Sequence, residues 1–491
     1  WHLLLINLLG LPQETPHLRA TAVPCTHDGH LHYHRIAAMR YAWENGLFFT
    51  RWLPDLAFGY GYPFFVYREP VPLYAGLIPH LLGLPLPAAE NLMYIAAILT
   101  GGWFMYLWVR DVVGARAGIV SAMAYMAAPY VLIDALVRGN SPESVALPLF
   151  PLLLLLGRRW VLEGTAVSFI FSVLGLAALA LSHNISLLLF TPALGLYLLV
   201  IGFIHHGKWP QIVGRLALLF GLGLGITFFY SGGALLEMGE VTLQQSTTTR
   251  NNDFHYNFAS LSEIFSPVPA EDPALINPPL PFRLGWAPSL LAALGIISLF
   301  WRKKINDSRL KIEEPASIIN YQSLIINREQ RWHIILMAVA TAVFLFLALP
   351  QSLFLWENVP LVDFIQFPWR MVGRAALPVA FLAGVPFASG GRITYHVSCI
   401  TFYVSRFTFF AAIFLLILEA FPLLYPTMCH EDPFPTINTV HTYEHVTGLV
   451  GVDPEGSYFP RTVQRRPKES PLEAAYQAGE TPQRFDTAVL S

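Results

Sequence analysis

Long apolar runs separated by short polar loops are the feature that most restricts how this chain can fold. Most of these runs approach the ~20 residues that an α-helix needs to cross a bilayer. Helices are favoured there because each one satisfies its own backbone hydrogen bonds within lipid. The sequence therefore predicts an all-α polytopic membrane protein with spans near Ala88–Val109, Ala117–Leu136, Ser144–Leu156, Thr165–Ser182, Ile185–Ile204, Val213–Leu236, Ala287–Trp301, Trp332–Leu349, Ala375–Ala388 and Phe402–Leu424.

Composition agrees with this class. Charged residues are 13% of the 491 residues and hydrophobic residues 54%, whereas soluble domains carry about 25% charged residues. The net charge of -2 suggests no nucleic-acid partner. Trp1–Pro12 is apolar but is about half a span long, and no basic segment precedes it as in a signal peptide. We interpret it as the tail of a first span, which brings the expected total to about eleven.

Lysine and arginine indicate the orientation of the spans, because short cytoplasmic loops are enriched in both. They fall in alternate loops, at Arg110/Arg116, Arg158/Arg159, Lys208/Arg215, Arg302/Lys303/Lys304 and Arg392. We expect these loops in the cytoplasm. The segments expected outside are Cys25–Pro87, Val137–Glu143, His183–Asn184, Glu237–Trp286, Pro350–Arg374 and the tail from Tyr425.

The resulting organisation has two parts. Residues 1–424 form a transmembrane domain, and residues 425–491 form an outer tail or the start of a further extracytoplasmic domain. Within the first part we expect a first extracytoplasmic loop at 13–87, a second large outer loop at 237–286 and a cytoplasmic loop at 303–331.

Two helices in the first loop are expected to lie at the membrane surface. If Val71–Leu84 crossed the bilayer, every later basic loop would face outward, and this run also contains Pro72 and Pro79. His30–Asn45 has an amphipathic pattern closed by Gly46. Its apolar and polar faces are Ile36, Met39 and Trp43 against Arg35, Arg40 and Glu44.

Polar residues gather where several spans reach the outer side. Ionisable residues at such positions are costly and usually line a functional cavity. A carboxylate there can act as a general base, and arginines can hold a phosphate. With an apolar wall for a lipid tail, this set suits transfer of a group from a lipid phosphate. The candidates are Asp28, Glu69, Arg138, Glu143, His183, Asn184, Gln366 and Arg370.

Several motifs carry a resemblance to a known family. Asp28, His32 and Arg35 are followed by LFFTRWLPDLAFGYGYPFFVYREPVPLY, then LVRGNSPES, LSHN and IQFPWR. This chain resembles the bacterial multispan membrane proteins described as 6-pyruvoyl-tetrahydropterin synthase-related, although no soluble zinc-pterin fold is indicated. The resemblance is strong over Thr26–Arg159 and patchy to Arg374, and GVDPEGSYFPRTV resembles that family's segment after the membrane.

The architecture is similar to that of GT-C glycosyltransferases, such as protein O-mannosyltransferases and lipid A aminoarabinose transferase. The resemblance implies a cell-membrane enzyme (inner or plasma membrane) that passes a sugar from a polyprenyl-phosphate donor to an extracytoplasmic acceptor. It implies that Asp28 is the general base and that Glu69, beside a proline, lines the same cavity. His32 and Arg35 lie in the matched run and are expected to contact substrate. Because the first span is incomplete and the chain stops early in the outer domain, we interpret the sequence as truncated.

Other interpretations of these residues stay open. Asp28 also suits a helix N-cap, and Arg138 and Arg370 also suit anchoring at the membrane interface. The histidines at 27, 30, 32 and 34 could hold a divalent cation, since His30 and His34 share a helical face, but a solvated cluster is more common. Cys25 and Cys429 are both expected outside, where a disulfide can form.

Two other functions stay open as well. A lipid-linked glycan transporter or flippase would share the spans and the charged cavity, but polar residues near mid-membrane and internal repeats would favour it. A non-catalytic subunit of a membrane complex would need no aligned outer Asp, Glu and Arg. The sequence indicates a lipid-linked sugar donor and membrane lipid as partners, and no particular protein.

Overall fold

A computed structural model of the chain describes residues 21–243, 252–267, 282–309, 328–359, 365–388, 399–469 and 472–480. The expected first-span tail Trp1–Pro12 lies outside these ranges. The elements are β1 (Ala22–Pro24), α1 (Gly29–Glu44), α2 (Phe64–Tyr67), α3 (Val71–Leu81), α4 (Leu86–Val112), α5 (Ala115–Met126), α6 (Pro129–Ile133), α7 (Ser141–Ala146), α8 (Leu149–Glu163), α9 (Ala166–Ala180), α10 (Asn184–His206), α11 (Trp209–Ile226), α12 (Phe228–Glu237), α13 (Leu261–Phe265), α14 (Trp286–Arg309), α15 (Arg328–Ala348), α16 (Leu353–Asn358), α17 (Arg370–Gly384), α18 (Cys399–Ala420), β2 (Met428–His430), α19 (Ile437–Thr447) and α20 (Glu473–Gln477).

Helices form in every one of the ten apolar runs. In the described ranges seven are long and apolar enough to cross a bilayer, or up to eight if one bent pair is a single span. The expected number of eleven is not confirmed. The protein is therefore an all-α, multi-pass membrane protein. Helix α3 has 11 residues, which is too short to cross.

Three of the runs predicted as single helices are divided. The run Ser144–Leu156 falls on α7 and α8, which together still count as one candidate span. Helices α5 and α6 are bent by 42° at Pro129, which lacks the backbone donor that a continuous helix needs. The run Val213–Leu236 divides at Thr227, after three glycines that weaken a helix interior, into α11 and α12. After Ile133, helix α6 continues as a π-helical turn over Asp134–Arg138, a form often found at functional sites.

Helix α17 is the centre of the bundle. Every residue from Arg370 to Gly384 is buried, and the helix packs against α5, α14 and α15. Gly384 lets α5 approach closely, since a Cβ there would lie 2.4 Å from the Ala117 carbonyl oxygen. The first turn of α17 therefore lies deep inside the protein and carries two arginines, Arg370 and Arg374.

The charged loops divide between the two ends of the bundle. At one end Arg158 bonds to Asp111 and Glu329, and Arg159 also bonds to Asp111. These residues come from the loops that the sequence predicts to be cytoplasmic, so we call this the basic end. The segments expected outside meet at the opposite end, which we call the site end.

The described part of the tail packs onto the first loop at the site end. Strand β2 pairs antiparallel with β1, and a disulfide joins Cys25 to Cys429, with Cα atoms 5.0 Å apart. The expectation that this disulfide can form is confirmed. Helix α19 packs on α1, and residues from both segments share a second hydrophobic cluster. The tail and the first loop thus fold as one unit.

The predicted helix at His30–Asn45 forms, but the prediction that it lies exposed at the membrane surface is wrong. Helix α1 covers this range, but it packs against α3, α4 and α19. Arg35, assigned to the exposed face, is only 3% exposed. The sequence pattern could not reveal this, because the covering residues of α19 lie about 400 positions further along.

Candidate functional site

The loop that carries Asp28 docks directly on the end of the π-helical turn. The Asp28 backbone N–H donates to the Arg138 carbonyl oxygen (2.8 Å) and the His27 N–H to that of Val137 (3.1 Å). Gly139 ends the turn at φ +71°, and a Cβ on it would lie 2.7 Å from the Gly29 nitrogen. Only glycine fits this approach, which brings the Asp28 carboxylate to 3.7 Å from Arg138 Nε.

Arg138 is the centre of a buried ion network. Its Nη1 donates to Asp134 Oδ1 and to Glu143 Oε2, both at 3.0 Å, and both carboxylates are fully buried. The other oxygen of Glu143 accepts from Arg374 and from the Tyr130 hydroxyl. Since buried charges are stable only when paired, each member of this network depends on its partners. Asp28, by contrast, keeps 40% of its side chain exposed.

Glu69 is held at the start of α10. It is buried, and its Oε1 accepts the Asn184 backbone N–H at 2.6 Å, a favourable place for a negative charge. Burial raises the pKa of Glu69, and the Arg68 charge and the Asn184 N–H oppose that rise. The Asn184 side chain does not bond to Glu69; its Nδ2 donates to the Tyr230 hydroxyl oxygen at 3.2 Å.

His183 joins the ion network through one hydroxyl. Its Nδ1 lies 2.7 Å from Ser186 Oγ, and Arg374 Nη2 donates to the same oxygen at 2.8 Å. His183 is therefore connected to Glu143 through Ser186 and Arg374. This contact positions the turn between α9 and α10 against α17.

Arg370 has no carboxylate partner among the described residues. Its Nη1 donates to the Ile365 carbonyl oxygen at 2.7 Å, its Nε is buried without a partner, and it is 5% exposed. No described carboxylate oxygen lies within 4 Å of it. Gln366, at φ +62°, holds a strained backbone conformation just before α17. The Gln366 side chain makes no hydrogen bond to the described residues.

Arg35 and Arg68 are two further cations without a carboxylate in salt-bridge distance among the described residues. Arg35 donates from Nε and Nη2 to the Val452 carbonyl oxygen (3.1 and 2.6 Å). Arg68 lies over the Tyr458 ring, and its Nε is buried without a partner. His32 is buried in range of both, and burial together with these charges holds its pKa well below the usual value. Its Nδ1 has no partner.

The residues predicted from sequence therefore fall into groups. Asp28, Arg138 and Glu143 are in one network, His183 joins it through Ser186, and Glu69 contacts Asn184. The charges of Arg68 and Arg370 both act on Glu69, and those of Arg35, Arg68 and Arg138 act on His32, so the groups are neighbours. Within the described residues, no single cavity is lined by all of these side chains.

Sequence reasoning missed several members of this site. Arg374 lies one helical turn after Arg370, and that spacing in WRMVGR was a usable signal. Arg68 was visible only as the neighbour of Glu69. Tyr130 and Tyr458 carried no signal, because their importance depends on contacts between distant segments.

The histidines near Asp28 do not form a metal cluster. In the part of the chain that the structure describes, no group of three or more His, Cys, Asp or Glu side chains could hold a metal ion. His34 Nδ1 instead lies 2.7 Å from the His30 carbonyl oxygen, and its ring stacks on Tyr443 at 3.9 Å.

The fold and the site define a multi-pass helical membrane protein with a charged centre at one end. No family model and no curated protein matches the chain. Among solved structures it is similar to the apo oligosaccharyltransferase of Archaeoglobus fulgidus, with a TM-score of 0.45 and 14% identity over 94% of this chain and 60% of that one.

A second solved structure is the oligosaccharyltransferase AglB of the same archaeon, in complex with an inhibitory peptide and a dolichol-phosphate. Its TM-score is 0.44 and its identity 14%, over 96% of this chain and 64% of that one. The chain thus spans less than two thirds of the length of both proteins.

Proposed function

We propose that this protein is a membrane glycosyltransferase of GT-C type, which moves a sugar from a polyprenyl-phosphate donor to an acceptor. The observation that carries the proposal is the pairing of an accessible carboxylate with unneutralised arginines. Asp28 is 40% exposed beside Arg138, while Arg35, Arg68 and Arg370 have no described carboxylate in salt-bridge distance. An anion such as a phosphate would supply the missing charge.

Each part of the proposed reaction has a residue to perform it. Asp28 takes the proton from the acceptor hydroxyl as that oxygen attacks the anomeric carbon, and the bond from that carbon to the phosphate oxygen breaks. The departing phosphate keeps the electron pair of this bond. Arg370, with Arg68 close to Glu69, stabilises the charge. Arg138 is already paired with carboxylates, so it holds Asp28 in place rather than binding phosphate.

Two independent features support an extracytoplasmic site in the cell membrane. The disulfide between Cys25 and Cys429 is at the site end, and disulfides persist in oxidising compartments. The basic loops meet at the other end, as expected for cytoplasmic loops. The lipid tail of the donor would lie between apolar helices.

The test uses the full chain purified in lipid nanodiscs. Polyprenyl phosphate should raise its unfolding temperature, polyprenol without phosphate should not, and Arg370→Gln should remove the effect. Arg158→Gln at the basic end is the matched control and should keep it. Lipid-linked sugars and surface glycans of a deletion strain, read by mass spectrometry, would identify donor and acceptor.

With the donor identified, Asp28→Asn should lower transfer by about 10²–10⁴-fold and leave donor binding intact. A wild-type rate in Asp28→Asn would refute the assignment of the base. Movement of the lipid-linked sugar across vesicles without transfer would instead identify a transporter.

A further inference from the structure

A separate cavity of about 240 Å³ lies beside Asp28, on the side of the disulfide. Its walls are β1 with the loop that follows it, the first turns of α1 and of α4, and Cys429 with Glu431 from the tail. Thr26 and Gly29 belong to the wall, so Asp28 lies between two residues that line the cavity. At about 30 Å³ per water molecule, the space equals about eight waters.

Three residues on the first turns of α4 line this cavity, and each has a buried polar atom without a hydrogen-bond partner among the described residues. The Asn91 Nδ2 is bonded, since it donates to the Ala22 carbonyl oxygen at 2.8 Å. Glu90 Oε1, Asn91 Oδ1 and the Tyr94 hydroxyl are buried without a hydrogen-bond partner, and the three residues are 5%, 1% and 4% exposed. Buried polar groups in native proteins are nearly always hydrogen-bonded. Three exceptions at one cavity therefore indicate a ligand that supplies the missing bonds.

The charge of the lining selects the kind of ligand. Glu90 and Glu431 are both acidic and line the same space. Among the described residues, no lysine or arginine lines the cavity. Burial lowers the pKa of His30, the histidine among the described lining residues, and so favours its neutral form. A phosphate would thus meet only repulsion here.

Tyr33 and Tyr94 are also among the lining residues, and aromatic faces attract cations. The Tyr33 hydroxyl already donates to the Asp432 carbonyl oxygen. Asn91 Oδ1 and Glu90 Oε1 are therefore the acceptors left for a ligand. A primary ammonium group offers three donors and one positive charge. It satisfies both acceptors and neutralises a carboxylate.

We propose that this cavity binds a primary ammonium group carried by the acceptor, on a small hydroxylated molecule such as an amino sugar. The assignment of the ligand as the acceptor rests on the proposed transferase function. Binding itself does not, because it can be measured without any donor. Because Thr26 and Gly29 line the cavity, a molecule seated there would lie against the loop that carries Asp28.

The test compares three related probes on the full chain in nanodiscs: glucosamine, glucose and glucose 6-phosphate. Glucosamine should bind, and glucose, which has a hydroxyl in place of the ammonium, should bind at least about tenfold more weakly. Glucose 6-phosphate should not bind at this site. Binding of glucose as tight as that of glucosamine would overturn the assignment of an ammonium ligand.

Two variants separate a binding role from a structural one. Glu90→Gln keeps the shape and should weaken glucosamine binding by about tenfold or more. Tyr94→Phe should weaken it by several-fold without lowering the unfolding temperature, because its hydroxyl has no partner to lose.

The control is Tyr197→Phe, at the basic end. The Tyr197 hydroxyl is bonded to Trp108 and His333, so this variant should lower the unfolding temperature and leave glucosamine binding unchanged. If both cavity variants bind glucosamine like wild type, the cavity is not its site, while the transferase proposal would still stand. If they fail to bind and polyprenyl phosphate also has no effect, the cavity assignment survives and the transferase proposal does not.

Discussion

Replacement of Arg138 by methionine should be among the most destabilising single changes at the site end. The side chain is 9% exposed and bonds to two carboxylates that are 0% exposed. Glu143 would keep Arg374, but among the described residues Asp134 would keep only the Ser144 hydroxyl. Removing one partner of a buried pair costs about 3–5 kcal/mol, because the other charge remains buried and uncompensated.

The fall in unfolding temperature follows from the length of the chain. At about 2.1 cal/mol/K per residue, the unfolding entropy is about 1 kcal/mol/K for this chain. The expected fall is therefore about 3–5 °C, measured by tryptophan fluorescence in detergent. Arg158→Met is the control, since Arg158 also bonds to two carboxylates, Asp111 and Glu329, but these are 24% and 31% exposed. It should cost about 0–1 kcal/mol.

A double variant tests the cause. Arg138→Met combined with Asp134→Asn removes the abandoned charge, so it should recover part of the lost stability. The reasoning is refuted if Arg138→Met is no worse than Arg158→Met, or if the double variant is no more stable than Arg138→Met alone.

Two further predictions concern the unit formed by the first loop and the tail. Burial lowers the pKa of His34 from 6.5 to about 4, so between these values the unfolded chain binds a proton that the folded chain does not. The contribution of His34 to stability should be complete above pH 6.5 and should fall by about 3 kcal/mol as the pH drops to 4. His34→Phe should make the unfolding temperature less dependent on pH over this range. An unchanged pH dependence would contradict the burial of a neutral His34. Cys25→Ser should lower the free energy of unfolding by about 2–4 kcal/mol. In the wild-type protein, alkylation followed by mass spectrometry should find two more reactive cysteines after reduction than before it. Equal labelling before and after reduction would exclude the disulfide.

Local sequence patterns predicted the elements well and the contacts between distant segments poorly. Within the described residues, each of the ten apolar runs predicted as spans contains helix, because apolar composition and helix formation are both local properties. The breaks at Pro129 and Thr227 also have local causes, and attention to proline and glycine could have predicted them. The contact between Asp28 and Arg138 was within reach because both residues were assigned to the same end of the bundle.

The docking of the tail was not within reach. Arg35 bonds to Val452, 417 positions further along, and Glu444 accepts the backbone N–H groups of Ala57 and Phe58. Such contacts leave no periodic signal in either segment. They nevertheless decide the site, because Tyr458 from the same segment lies against Arg68, next to Glu69.

The arginines of the two ends show why the site end suits an anionic ligand. At the basic end Arg158 and Arg159 are each matched by a nearby carboxylate, which is what structural stability alone requires. At the site end, Arg35 and Arg370 are buried and rely on carbonyl oxygens, and Arg68 has a buried Nε with no partner. Buried charges without counter-charges reduce stability, so an anion that binds there should stabilise the protein in proportion to its affinity. In the proposed transfer reaction, the same arginines would already be in place when the phosphate gains charge, because the fold positions them before the substrate binds.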